Sequence, residues 1–304
     1  MDKVQGLTEG GVINYHDNGK IRHSLKYKSG KIHGEQKLYY DNGKLDVISN
    51  YTIGVLHGVH KEWYKDGSER LFCLYIRGKK QGKYIHWAKD GQKNVKYYND
   101  DKEINPKTFS GKYILYTEDC SIKSISYFKD GKLDGICTIF YPNGDLFKSI
   151  DYKNGIKDGI FKQYDKDGNI QIRAEMKNNM YNGEYIQFYS NNTIEISTHM
   201  LNNKFHGRYM DYYTNGKIRT RCYYQEGILD QTQEIYDESN ELIKICHYNE
   251  GLIDGYWENF DHIGVKRIRK YTNGMKKLDI DFSKLSEEDR IEIYDSICIK
   301  RRKY

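Results

Sequence analysis

A chain of 304 residues with 49 Lys+Arg, 43 Asp+Glu, 30 Tyr and only two Pro has room for one large domain or two ordinary ones. Counted with Gly in place of Tyr, its 38% hydrophobic share falls to about 37%, under the roughly 45–50% of ordinary globular chains, which excludes a thick Leu-rich core. The 14% aromatic share excludes a disordered chain, and a net charge of +6 is too mild for a nucleic-acid footprint.

The opening Met-Asp-Lys-Val-Gln-Gly has no apolar stretch, so no secretory signal is expected. No run approaches the roughly 18 apolar residues of a membrane span. An intracellular, cytoplasmic protein is therefore the expectation.

In chain order, an aromatic residue ahead of a turn recurs at Tyr15, Tyr40, Tyr64, Tyr141, Tyr164, Tyr189, Tyr213, Tyr236 and Phe260, with Ala88 and Tyr116 completing the series. The steps run from 23 to 28 residues and centre on about 24, so the chain is a repeat array. Each unit carries two turn signals. The first is Asn-Gly or Asp-Gly, as at Asn18-Gly19, Asn42-Gly43, Asp66-Gly67 and Asn215-Gly216, a strong hairpin signal. The second is Gly-x-x-x-Gly, as at Gly30/Gly34, Gly54/Gly58, Gly78/Gly82 and Gly251/Gly255, with Asn179 and Asn203 replacing the first glycine in two units.

Between turns the period is two. Ile21, His23, Leu25 and Tyr27 share one strand face, while Arg22, Ser24 and Lys26 share the other and should meet water. The return strands end in aromatics at Tyr39, Trp63, Trp87, Phe140, Phe188 and Tyr212. The predicted fold is all-β: an elongated array of antiparallel β-hairpins, about 24 residues each, forming an extended twisted sheet over 1–278.

Aromatic-x-Asn-Gly-x-Ile, then Tyr-x-x-Gly-x-x-x-Gly and an aromatic pair, resembles the MORN repeat in its variant form, in about ten to eleven copies over residues 12–278. The resemblance implies a protein–protein interaction scaffold. Repeats of this kind also occur in enzyme appendages, in lipid-associated proteins and in bacterial antitoxins. It therefore leaves open two other roles, a peripheral binder of anionic membrane and an antitoxin-like inhibitor of a partner enzyme.

The pattern breaks twice. Asn99 to Ser110, containing Asp100-Asp101 and Pro106, replaces a short turn and is expected to protrude as a longer loop. After Leu278, Ser286-Glu287-Glu288-Asp289 suits a helix start, and Ile291, Tyr294, Ile297 and Cys298 recur at helical spacing. Residues 279–304 are thus predicted to be a capping helix with the basic tail Lys300, Arg301, Arg302 and Lys303.

No catalytic, cofactor or metal site is expected. His33, His57 and His206 share a slot before a turn glycine, where other units carry Gln81, Asp134 or Asp158, so they should hydrogen-bond their own turn. Cys73, Cys222 and Cys246 share an inner slot with Leu25, Ser49, Ile125, Ile150, Ala174 and Thr198, where Cys acts as a compact hydrophobe. No Cys-x-x-Cys pair occurs among the six cysteines. The partner-contact candidates are Trp63 and Trp87, at equivalent places in neighbouring units, and the basic tail Lys300–Lys303. A protein partner is expected first, an anionic membrane surface second, and nucleic acid is not expected; the oligomeric state is not legible.

Overall fold

The computed structural model describes residues 9–261 and 264–301. They belong to two compact units, Met1–Gly155 and Ile156–Tyr304. The strands make two antiparallel sheets of consecutive hairpins, and neither closes into a barrel.

In the first unit, one sheet runs β1 (Glu9–Tyr15), β2 (Ile21–Lys28), β4 (Gly34–Tyr39), β5 (Leu45–Thr52) and β6 (Val55–Trp63), with β3 (Lys31–Ile32) paired to β2. It continues through β7 (Glu69–Ile76), β8 (Lys79–Trp87), β9 (Lys93–Asn99) and β10 (Lys102–Ile104). The same unit holds β11 (Gly111–Tyr116), β12 (Ile122–Lys129), β13 (Lys132–Leu133), β14 (Gly135–Phe140) and β15 (Leu146–Lys153) of the other sheet.

The second unit contains β16 (Ile156–Tyr164), β17 (Ile170–Lys177), β18 (Met180–Phe188), β19 (Ile194–Leu201), β20 (Lys204–Tyr212) and β21 (Ile218–Gln225). It goes on to β22 (Ile228–Tyr236), β23 (Leu242–Asn249), β24 (Leu252–Asp261), β25 (Gly264–Thr272) and β26 (Met275–Asp281), paired in chain order.

Each first turn is pinched by two backbone bonds, such as His16 N to Lys20 O at 2.8 Å and Gly19 N to His16 O at 2.9 Å. Only its fourth residue takes positive φ, a glycine in most units (Gly19 at 75°) and Cys120, Asn192 or Asn240 in three others. The Asn is there for its side chain: Asn18 Oδ1 accepts from Lys20 N at 3.1 Å, and Asn18 Nδ2 donates to Asp41 O at 2.7 Å in the next repeat. Each second turn has two positive-φ residues, such as Ser29 (49°) and Gly30 (69°), the pattern of a type I′ turn.

Aligned on these turns, the repeat is more regular than the aromatic series indicates. The bond pair that opens at His16 recurs at Tyr40, Tyr64, Ala88, Thr117, Tyr141, Asp165, Tyr189, Tyr213 and Asp237, every step 24 residues save one of 29. Tyr15, Tyr116, Tyr164, Tyr236 and Phe260 belong to the adjacent column, which also contains Trp63 and Trp87. Phenols of the first column donate to carbonyls of the second, one repeat on: Tyr40 to Trp63, Tyr64 to Trp87, Tyr189 to Tyr212 and Tyr213 to Tyr236, all at 2.7–2.8 Å.

Residues 99–110 do not protrude as a loop. Asp100 (φ 52°) and Asp101 (φ 69°) form the regular type I′ turn between β9 and β10. Phe109 and Ser110 then take over two conserved jobs of a repeat. Phe109 O accepts from Gly131 N at 2.9 Å, as Ile32 O does from Gly54 N at 2.7 Å. Ser110 Oγ accepts from Asp130 N at 2.9 Å. The extra residues therefore end one sheet and start the next.

The core is one side chain thick. Leu25, Ser49, Cys73, Ser126, Ile150, Ala174, Thr198, Cys222 and Cys246 fill equivalent slots and are only 0–7% exposed. Ser126 holds this slot rather than Ile125, because the 29-residue step moves the register and puts Phe128, not Tyr127, beside it. Phe128 packs with Phe109 and Tyr113 at centroid distances of 6.0 and 6.3 Å. Phe205, Tyr209 and Tyr224 form a similar triplet at 5.2–5.5 Å. Much of the Tyr surplus goes into such half-buried rings.

The array extends three residues beyond Leu278, to the end of β26. A short turn of helix (Phe282–Lys284) and α1 (Glu287–Arg301) follow. Ser286 caps α1, its Oγ accepting from Asp289 N at 3.2 Å. Phe282, 2% exposed, and Ile268, 0% exposed, form a cluster that takes in Leu285 and Ile293. Ile291, expected on the inner stripe, is 60% exposed. The side chains of Tyr294, Ile297 and Cys298 lie outside the described residues.

Candidate functional site

The cross-strand row Ile48–Lys61–Phe72–Ile85–Val95 runs over the first sheet, on the face opposite the Cys73 slot. By the two-residue period this face should meet water, yet Ile48, Phe72 and Ile85 are half-buried and Leu74 is 8% exposed. The cover comes from β11 and the turn after it. Gln81 Nε2 donates to Ile114 O at 2.8 Å, Asn99 Nδ2 to Lys112 O at 3.0 Å, and Asp100 N to Gln81 Oε1 at 2.8 Å. The 29-residue step thus lays the start of the second sheet on the outer face of the first.

This crossing leaves clefts on either side of the Thr117–Ser121 turn. One, of about 270 Å³, has Trp63, Trp87 and Phe72 as aromatic walls, with Lys61, Glu69 and Glu118 also lining it. Glu62 borders it too, but its carboxylate is bonded on the inner face. Another, of about 500 Å³, shares Lys61 and Glu118 with it and adds Glu35, Asn50, His57 and Asp119. The two Trp are held by their backbones, through the phenols of Tyr40 and Tyr64. Lys93 Nζ lies 5.5 Å from the Trp87 ring centroid and Lys61 Nζ lies 5.5 Å from that of Phe72.

On the inner face, a polar chain links three strands of the same unit, β5, β6 and β7. Ser49 Oγ meets His60 Nδ1 at 2.8 Å, and His60 Nε2 meets Glu62 Oε1 at 2.9 Å. Glu62 Oε2 accepts from Arg70 Nε at 2.9 Å, and Arg70 reaches Asp46 at 3.4 Å. A Ser–His–Glu set invites a hydrolase reading. Ser49, however, is 3% exposed in the slot that Cys73 and Ala174 fill elsewhere, so no substrate carbonyl reaches its oxygen. The chain instead satisfies polar groups in a thin core. Sequence reasoning missed it, because only the register sets His60 against the Ser49–Cys73 column.

Trp63 and Trp87 are therefore brought into one cleft. Lys300 and Arg301 end α1 in the second unit, and their side chains lie outside the described residues, as do Arg302 and Lys303 altogether. The His33, His57 and His206 slot works differently from expectation. Each Nδ1 accepts from a backbone N–H twenty residues on, in the next repeat's turn: Ile53 at 3.3 Å, Arg77 at 3.2 Å and Glu226 at 3.4 Å. Asp134 does the same for Asn154 at 3.1 Å, while Asn182 in this slot donates to Asn202 Oδ1 at 3.2 Å, so the slot ties one turn to the next. Cys73, Cys222 and Cys246 are buried free thiols, and burial pushes Cys73 up to about 11 and Cys222 up to about 12.

A further cleft, about 890 Å³, lies between β25 and α1 in the second unit. Phe282 and Leu285 in its wall belong to the cluster that anchors the helix, so it is a packing seam. Among the described residues no helix is long and apolar enough to cross a membrane.

The MORN repeat variant matches four stretches of the chain, residues 32–52, 133–154, 157–178 and 205–226. Each covers a first turn and the strands on either side. No curated protein matches. Among solved structures, the chain is similar to one in the crystal structure of TcdB2-TccC3-TEV, at 9% identity and a TM-score of 0.18, over 87% of this chain and 14% of that one. It is also similar to one in the Photorhabdus luminescens Tc holotoxin pore, at 8% identity and a TM-score of 0.19, over 85% of this chain and 15% of that one. The chain thus spans about a seventh of those chains, and likeness at these scores carries no argument about fold or role.

Proposed function

We propose that the chain is a non-enzymatic scaffold for protein–protein interaction, built from MORN-variant hairpins and contacting its partner through the outer face of the first unit. One observation carries the reading: Trp63, Trp87 and Phe72 share a cleft with Glu69 and Glu118, on the strand face that a hairpin array ordinarily gives to water. Paired aromatics held on a rigid sheet offer large contact area at little entropic cost, which is what interface anchors need.

The test is an affinity capture with the full chain as bait in lysate from its own source, beside a variant in which Lys300, Arg301, Arg302 and Lys303 are all serine. A protein retained specifically by both baits supports recognition on the repeats. Retention lost with the tail variant moves recognition to the helix end. Sedimentation with anionic but not neutral liposomes, abolished by the same substitutions, replaces the scaffold with a membrane-binding role.

A further inference from the structure

We propose that the cleft between Trp63 and Trp87 is a pocket for a single cationic side chain, arginine or lysine, presented by a segment of a partner protein. The inference deepens the scaffold reading and rests on it. Three observations support it.

The first is the chemistry of the walls. Two indoles and a phenyl ring offer electron-rich faces, the surfaces on which guanidinium and ammonium groups settle. The chain's own cations already use two of the three rings, Lys93 on Trp87 and Lys61 on Phe72, each at 5.5 Å. Trp63 carries no such cation among the described residues.

The second is charge. Glu62 is committed to His60 and Arg70. Glu69 and Glu118 are exposed, and neither has an ion-pair partner among the described residues. They reach the cleft from separate segments, Glu69 at the start of β7 and Glu118 from the turn laid across the sheet. Lys61 and Lys93 stand at the same cleft, over Phe72 and Trp87, so the two carboxylates balance these cations and a basic guest is drawn to the uncovered ring of Trp63. The rest of the net charge of +6, beyond about 8 Å, is largely screened at physiological salt.

The third is size. About 270 Å³ is below the roughly 300–1,000 Å³ of pockets that enclose a whole small molecule. Trp63 and Trp87 end β6 and β8 with one strand between them, an offset of roughly 9–10 Å. A volume of that size suits one side chain and not a whole small molecule.

The experiment titrates the full chain, ¹⁵N-labelled, with a short blocked peptide alternating threonine and arginine, and follows the three indole N–H signals. Trp63 and Trp87 should shift together while Trp257, in the second unit, stays fixed. Substituting norleucine for arginine in the peptide should abolish the shifts. The double variant Glu69→Gln, Glu118→Gln should weaken binding about five-fold with its indole spectrum otherwise unchanged. Equal shifts with the norleucine peptide, or unchanged affinity in the double variant, overturn the proposal. So does free argininamide binding as tightly as the peptide, since the guest would then be a small cation. A lysate partner retained equally by the double variant removes this pocket while the scaffold reading stands. Peptide binding with no lysate partner at all upholds the pocket's chemistry and removes the scaffold.

Discussion

The phenol of Tyr64 donates to the carbonyl of Trp87, 23 residues on, at 2.8 Å, and Tyr40 makes the same bond to Trp63. These rungs tie each hairpin to the next outside the β-ladder. Tyr64→Phe keeps the ring, and with it the Arg70 and Lys89 groups 5.9 and 5.8 Å from its centroid, but removes the rung. The expected cost is about 1 kcal/mol, the net worth of one ordinary hydrogen bond. In a near one-dimensional array the loss stays local, so amide exchange should quicken around Trp87 and leave the second unit unchanged.

Much of this was legible in the sequence, and the reason is physical. A period of about 24 with Gly at both turns leaves few backbone solutions, so the hairpins, the inner slot and the C-terminal helix follow from residue type. Links between repeats were less visible. His33 reads as a residue serving its own turn, whereas it bonds the next one, and Asn18 serves its own turn and the next one as well. Nothing local distinguishes the two, because the partner is a backbone group and carries no residue signature. The crossing of β11 was also missed, although it left a trace: Ile48 and Phe72 stand where another unit places Arg173, Leu74 where it places Glu175, and Ile85 where it places Lys162. An apolar outer row is the sign of a cover. The Trp63–Trp87 pairing was readable from equivalent positions; Glu118, 31 residues beyond Trp87, was not.

The inner slot should tolerate small residues and reject large ones. Cys246 is 0% exposed and lies opposite Gln233 and Trp257. Cys246→Ala, matching Ala174, should cost about 1 kcal/mol through the small cavity it leaves. Cys246→Leu overfills the site and should cost about 1–3 kcal/mol. Urea denaturation of the two variants decides it; a leucine variant as stable as the alanine one would mean that the slot is loose.

Gly131 separates a steric requirement from a conformational one. Its φ is +75°, and a methyl group there would run into the Pro106 and Lys107 carbonyls, because the inserted segment lies against this turn. Gly168 has a similar φ of +84° with open space around it. Gly168→Ala should cost only the left-handed penalty of about 1–2 kcal/mol. Gly131→Ala must add a backbone clash and should lower the melting temperature clearly further. Equal losses by circular-dichroism melts would show that residues 105–110 are not packed there.

Acid should unfasten the last hairpin through Asp279. Its carboxylate accepts from Lys276 Nζ at 2.9 Å, Arg267 Nε at 2.7 Å and Arg269 Nε at 3.2 Å. These donors, Lys276 first, hold the carboxyl far below its ordinary value. A carboxyl depressed on folding stabilises the native state fully above its unfolded value, about 3.9, and loses that contribution as pH falls towards the folded value. Asp279→Asn should therefore melt lower than the parent chain by a constant amount from pH 8 down to about pH 5, where both carboxyl forms are ionised. Below about pH 4 the two curves should converge as the parent carboxylate takes up its proton. Added salt at neutral pH should narrow the gap, because the cluster is partly exposed to solvent. A gap that holds unchanged to pH 2 would mean that Asp279 acts through packing and not through its charge.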